Sequence, residues 1–153
     1  MGNALHVRRA SELSHYLHQP LGPTRWCQVD QERIDAFAAL TDDPQWIHVD
    51  PHRAAEELPG GRTIVPGHLL LALLPSLVRE TYLVTKARSS RLAALRNVRF
   101  RRAIGCDVPF RLSGCIQSVK TRGVITFVEM RCMLTVEHED TVVEVSRTDA
   151  FQD

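Results

Sequence analysis

Residues 67–80, GHLLLALLPSLVRE, constrain this chain more than any other stretch. A helical reading leaves no polar face through their first two turns. A helix that is apolar all round must be enclosed by the rest of the fold, whereas a surface helix shows a single apolar stripe. The run is shorter than the ~20 residues that a membrane span needs. Pro75 has no N–H and predicts a bend inside it. The remaining sequence must therefore supply walls for an enclosed helix.

Those walls follow directly, because the hydrophobic period then changes from that of a helix to two. Val98 and Phe100 alternate with Asn97, Arg99 and Arg101. Val108, Phe110 and Leu112 alternate with polar neighbours and continue toward Ile116. Val124, Thr126, Val128, Met130, Cys132, Leu134 and Val136 keep the alternation for a long run, and Val143 and Val145 repeat it. KTRG and EHED read as the turns between runs. This is the pattern of antiparallel strands joined by hairpins, each strand with one buried face. Helices come first, a strand meander follows, and one apolar helix stands between them. The expected class is α+β, a curved antiparallel sheet wrapped around the central helix. No repeat or linker interrupts the chain. A single domain over residues 1–153 is expected, with residues 1–23 the least informative part.

The composition narrows the function. A chain of this length hides about 70% of its unfolded surface, enough for a core without staples. With 19 basic and 18 acidic residues it lacks the strong positive charge of a general nucleic-acid binder. Its opening, MGNALHVRRASELSHY, has charges where a signal peptide has an apolar stretch. The expectation is a soluble cytoplasmic protein that engages neither nucleic acid nor membrane. Cys27, Cys106, Cys115 and Cys132 form no CxxC pair, and the last three fall in or near strand-like runs. They read as small buried hydrophobes, not as a disulfide framework or zinc site.

The N-terminal half reads as short helices. Residues 4–18 suit one, with Leu13, Tyr16 and Leu17 on one side, and QPLGPT breaks it. RWCQV is strand-like. Asp30 has the character of an N-cap, with Val29 and Ile34 at staple spacing across it. Ile34, Phe37 and Ala38 stripe the helix that follows, which ends near Thr41. Another helix starts at Pro51, capped by Asp50, and stops at LPGGRT. Between the two lies LTDDPQWIHVDPHRAA, residues 40–55, with three aspartates, two histidines and two prolines. On local grounds Asp42 is a turn residue, Asp43 before Pro44 suits a turn as well, and Asp50 is a cap. His48 and His52 stand four apart, as a zinc pair on a helix does. Pro51 between them argues against a shared helical face, and no metal is expected.

Taken together, QERIDAFAALTDDPQWIHVDPHRAA, GGRTIVPGHLLLALLP and RNVRF resemble the MaoC-like dehydratases, the (R)-specific enoyl-CoA hydratases. The resemblance runs from about Trp26 to the C-terminus. It implies a hot-dog fold, paired as a homodimer or built into a larger or heteromeric hot-dog assembly. It also implies site residues. The family's motif places an aspartate, four intervening residues and a histidine, which here are Asp43 and His48. The glycine that begins the family's central helix is Gly67, whose N–H resembles an oxyanion-hole donor. Val65, Pro66, Arg99 and Arg101 become candidate substrate contacts, the arginines toward coenzyme A phosphates, with a solvated strand face as their plain alternative. Three positions depart from the family pattern. Asp42 replaces a usual glycine, Pro66 replaces a usual histidine, and RLAALRNVRF lacks a usual tyrosine–glycine.

The implied chemistry suits these residue types. Hydration of an enoyl thioester puts hydroxyl on the β-carbon and a proton on the α-carbon while charge gathers on the thioester oxygen. Asp43 would take a proton from water, a task that burial improves by raising its basicity. His48 would hold the same water and return a proton. An amide at a helix start has no internal partner and carries partial positive charge, so the Gly67 N–H would stabilise the enolate oxygen. The substrate would be an acyl thioester on coenzyme A or acyl carrier protein, with no cofactor. Two rivals share the pattern: a hot-dog acyl-CoA thioesterase, and a non-catalytic acyl-thioester-binding or partner subunit.

Overall fold

The structure is a computed structural model and describes residues 4–138 and 141–152. A five-stranded antiparallel sheet dominates it. Its strands are β2 (Pro20–Leu21), β4 (Ser89–Phe100), β5 (Phe110–Arg122), β6 (Ile125–Val136) and β7 (Thr141–Gln152), in the order β2-β5-β6-β7-β4. Helix α4 (Gly67–Arg79) packs on one face of this sheet. Leu70, Leu74 and Leu77 of α4 meet Phe110, Leu112 and Ile116 of β5, Val128, Met130 and Leu134 of β6, and Val143 and Val145 of β7 in one core. Each such side chain removed from water contributes about 1.5–3 kcal/mol. This is the expected hot-dog arrangement.

The period-two runs become strands where expected. β5 alternates buried and half-buried residues up to Ile116, and β6 buries Thr126, Val128, Met130, Cys132 and Leu134. Gly123, the last residue of KTRG, turns β5 into β6 at φ +59°, whereas Lys120, Thr121 and Arg122 still belong to β5 and pair with β6, so the turn is shorter than expected. Of the EHED turn, Glu139 and Asp140 lie outside the described residues. β7 runs well past Val145. Its inward-facing Arg147 and Asp149 break the apolar pattern, but they pair with each other at 2.5 Å inside the fold.

Several expectations need correction. α4 is not enclosed on every side, because His68, Ala72, Ser76 and Arg79 are exposed along one line of it. The helix includes Pro75 and runs on to Arg79, as a helix bent at that proline also does. Strand β4 does not bury one face: Leu92 and Phe100 are about half exposed, and a register shift at the left-handed Asn97 interrupts its alternation. β4 lies at the sheet edge, hydrogen-bonded to β7 on one side only. The N-terminal segment is not one helix. Leu5–Val7 form β1, which pairs in parallel with β3 (Tyr82–Val84), and Ala10–Tyr16 form a 3-10 helix that buries Leu13. Pro20–Leu21 pair with β5, and RWCQV contributes only a bridge from Cys27 to Phe110.

The short helices are capped as read. Asp30 accepts from Arg33 N at 2.9 Å to start α1 (Gln31–Thr41), and Val29 and Ile34 are both buried. Asp50 accepts from Arg53 N at 3.0 Å to start α3 (Pro51–Glu57). A four-residue turn of helix not evident in the sequence, α2 (Trp46–Val49), lies between them.

Candidate active site

Two segments meet at the candidate site, the α1–α2–α3 connection and residues 63–67 leading into α4. α1 ends at Asp42, which takes the left-handed conformation with φ 52° and ψ 37°. The amides of Asp42 and Asp43 both turn back onto the Ala38 carbonyl. Asp42 is thus the turn residue expected, and the geometry explains why glycine suits that position: it alone enters this region freely, with aspartate among the few side chains that tolerate it.

Asp43 follows at the surface, with its side chain exposed. His48 is buried, only 8% exposed, on α2. Its Nδ1 lies 2.7 Å from the Ile64 carbonyl oxygen. A carbonyl only accepts, so Nδ1 carries the proton and Nε2 is the nitrogen left for other partners. The Ile64 N–H donates in turn to the Ile47 carbonyl at 3.0 Å. The chain that anchors the His48 ring therefore reaches Gly67 within the same short run.

Pro66 is the residue before α4, and its missing N–H costs nothing there. Its carbonyl accepts from Leu69 N at 3.0 Å and Leu70 N at 3.2 Å, so the helix starts cleanly at Gly67. The Gly67 N–H has no acceptor among the described residues. Val65, also buried, donates its N–H to the Ile104 carbonyl. His68 points away from the core and is exposed.

The candidate contacts on the other wall sit apart from this run. Arg99 is exposed near the end of β4. Arg101 pairs with Glu144 at 3.2 Å, and Arg131 pairs with the same carboxylate. These two arginines, Arg101 first, hold the Glu144 carboxyl below the ordinary carboxylate value. Arg101 also lines an open hollow of about 1200 Å³ with Trp26, Arg102 and Arg111, and neither Asp43, His48 nor Gly67 borders it.

Four partners of the site were not evident from the sequence. Phe100 places its ring against Gly67. Gln31 bonds to the His48 carbonyl, Thr63 bonds to Gln31, and the Ile64 carbonyl holds the imidazole. Every one joins residues distant in sequence, and a backbone acceptor carries no signal in residue type. All four cysteines are free thiols, and burial first and the Asp107 carboxylate next push the Cys106 thiol upward, so it is poorly suited as a nucleophile. His52 pairs with Glu56 on α3 rather than with His48. No cluster of three or more metal-ligating side chains occurs among the described residues.

A family model described as "MaoC like domain" matches residues 13–105. The chain belongs to the MaoC-like dehydratase family. It is 35% identical over 129 residues to 3-hydroxyacyl-thioester dehydratase Z of Mycobacterium tuberculosis, spanning 84% of each chain. Solved structures repeat the fold at lower identity. The (R)-hydratase from A. caviae superposes with a TM-score of 0.62 at 19% identity, covering 86% of this chain and 97% of that one. The HadBC 3R-hydroxyacyl-ACP dehydratase complex from M. tuberculosis does so with a TM-score of 0.65 at 16% identity, covering 86% and 94%. The MaoC-like dehydratases named among these relatives are hydro-lyases. No helix of the described residues is long and apolar enough to cross a membrane.

Proposed function

We propose that this MaoC-like chain reversibly hydrates a trans-2-enoyl thioester to the (R)-3-hydroxyacyl thioester, with Asp43 and His48 as the acid–base pair. One observation carries the reading: the short run that leads into α4 presents both the carbonyl that orients His48 and the unpartnered N–H of Gly67. In the hydration direction Asp43 accepts a proton as the water oxygen bonds to the β-carbon. The π electrons of the double bond move toward the thioester oxygen, where the Gly67 N–H donates. His48 Nε2, which starts without a proton, accepts a hydrogen bond from the same water, then takes the proton from Asp43 and delivers it to the α-carbon. Water has then been added across the bond and the pair is restored. Addition of water to a conjugated thioester is acid–base chemistry and needs no cofactor of its own.

The carrier is coenzyme A or acyl carrier protein, with Val65 and Pro66 near the thioester and Arg99 and Arg101 as candidate phosphate contacts. The active form is paired with a second hot-dog domain, a copy of this chain or a related one. The exposed line of α4 and the one-sided edge of β4 support that reading, and Asp43 gains the enclosure it lacks in the single chain when a partner covers it.

The test is a panel of enoyl-CoA substrates of different chain length and branching, monitored for loss of the conjugated double bond. The expected result is hydration that falls about 10²–10⁴-fold in Asp43→Asn while the protein stays folded. Full activity of Asp43→Asn on its best substrate would remove the assignment. Release of free thiol without loss of the double bond would make the protein a thioesterase instead.

A further inference from the structure

We infer that Gln31 is a positioning residue for His48, an inference that rests on the reading of His48 as part of a hydratase site. Gln31 is the first residue of α1, directly after the Asp30 cap. Its Nε2 donates to the His48 carbonyl at 2.7 Å and to Asp35 Oδ1 at 2.8 Å, and its Oε1 accepts from Thr63 Oγ1 at 2.6 Å. A primary amide offers two N–H groups and one carbonyl oxygen, so each part of it has a partner here. The partners also decide which way the amide faces. A carbonyl and a carboxylate can only accept, and they must meet the NH₂ end.

Two of those three partners bracket His48. One is its own main chain. Another is Thr63, 1% exposed and next to Ile64, whose carbonyl holds the imidazole. The ring orientation depends on how the α2 backbone sits against the Ile64 carbonyl. One backbone bond, Ile64 N to Ile47 O, spans that gap. Gln31 spans it a second time and ties both sides to the start of α1. Asp35, one turn along the same helix, holds the remaining N–H and keeps the amide from swinging out. A hydrogen bond to a residue as buried as Thr63 is electrostatically stronger than one in water. A displacement of about 1 Å at a catalytic group can cost 10²-fold in rate, so a clamp of this kind acts on turnover. Gln31 touches no reacting atom and works through His48 alone.

The test uses the full-length protein and its best enoyl-CoA substrate. Gln31→Leu removes all three bonds. Gln31→Glu keeps the size and the acceptor for Thr63 but sets an oxygen against the His48 carbonyl and the Asp35 carboxylate. Both variants are expected to lose about ten- to a hundredfold in kcat, with KM within about threefold of wild type and no matching loss of folded protein. A readout independent of turnover is the His48 Nδ1 proton, which in the wild type should exchange slowly enough to give an imidazole N–H resonance and in the variants should be lost. Wild-type kcat with that resonance intact in a folded Gln31→Leu overturns the inference, as does a loss of kcat that only follows loss of folded protein. Should Gln31→Leu fail to fold, Gln31→Glu decides on the same criteria. His48→Asn separates the two levels. Full activity there removes the reading of the site, whereas an inactive His48→Asn beside a fully active Gln31→Leu removes only the role of Gln31.

Discussion

The ring of Phe100 rests on the backbone of Gly67: a Cβ built onto that glycine would lie 3.0 Å from two of its ring carbons. The end of β4 therefore covers the start of α4, and the ring remains about half in water. Gly67→Ala is expected to lower hydratase activity because the new methyl group and the ring compete for one space. Phe100→Ala in the same chain should return part of the loss. Measured as kcat/KM in the wild type, the two single variants and the double variant, the pair should couple by about 0.5–3 kcal/mol. Purely additive losses would show that the ring and the added methyl do not meet.

Asp42 holds a left-handed conformation at φ 52°. An L side chain in that region costs about 1–2 kcal/mol relative to the right-handed one, less for aspartate than for most. Asp42→Gly is thus expected to raise stability by up to about 1 kcal/mol. The rise should appear as a higher urea midpoint at unchanged slope. An unchanged or lower midpoint would mean that the aspartate side chain stabilises the turn by more than its backbone costs.

Arg147 and Asp149 form a two-bond ion pair, Nε–Oδ2 at 2.7 Å and Nη2–Oδ1 at 2.5 Å, with side chains only 6% and 9% exposed. Removing one partner leaves a buried charge alone. Arg147→Met or Asp149→Asn by itself should cost about 3–5 kcal/mol, whereas replacing both with apolar residues of similar volume should cost far less. Chemical denaturation of the three variants checks the order.

Cys132 is fully buried on β6, and burial above all pushes its thiol up to about 12, against the opposing pull of Arg147. The thiolate is the species that reacts. At mildly alkaline pH an alkylating reagent should leave Cys132 untouched in the folded protein and modify it after unfolding. Peptide mapping by mass spectrometry reads the difference. Labelling of Cys132 in the native state would contradict its place in the core.

Glu144 titrates below the ordinary carboxylate value because Arg101 and Arg131 both hydrogen-bond to it. A folded pKa below the unfolded one means the stabilisation is fully present above the unfolded value. It is then lost as the pH falls through the folded one. Glu144→Gln should therefore be less stable than wild type near neutral pH, and the difference should vanish in acid. Both arginines are about half exposed, so added salt should shrink the difference as well.

Local signals were legible wherever one residue acts on its close neighbours. Asp30 and Asp50 announce caps because a cap is made within three residues, and both caps form. Gly123 and the alternation around it announce the β5–β6 hairpin for the same reason. The pattern failed where a distant partner decides the outcome. Leu5–Val7 read as helix but pair with Tyr82–Val84, which no local pattern can announce. The inner face of β7 looked as if it ended at Val145, because the residue that neutralises Arg147 inside the fold is itself charged. Phe100 followed the apolar alternation of a buried face yet stands half exposed on an edge strand.

By itself the sequence determined the class, the order of elements, the caps and the residues to examine, since hydrophobic period and capping chemistry are written in neighbouring residues. It also singled out Asp43, His48 and Gly67 through a motif resemblance. The tertiary structure alone decided how those residues are held. The ring nitrogen of His48 that carries the proton follows from a backbone carbonyl at Ile64, and the aromatic ring over Gly67 comes from a strand that follows α4. Backbone acceptors and cross-fold contacts have no residue signature, so only the folded chain can assign them.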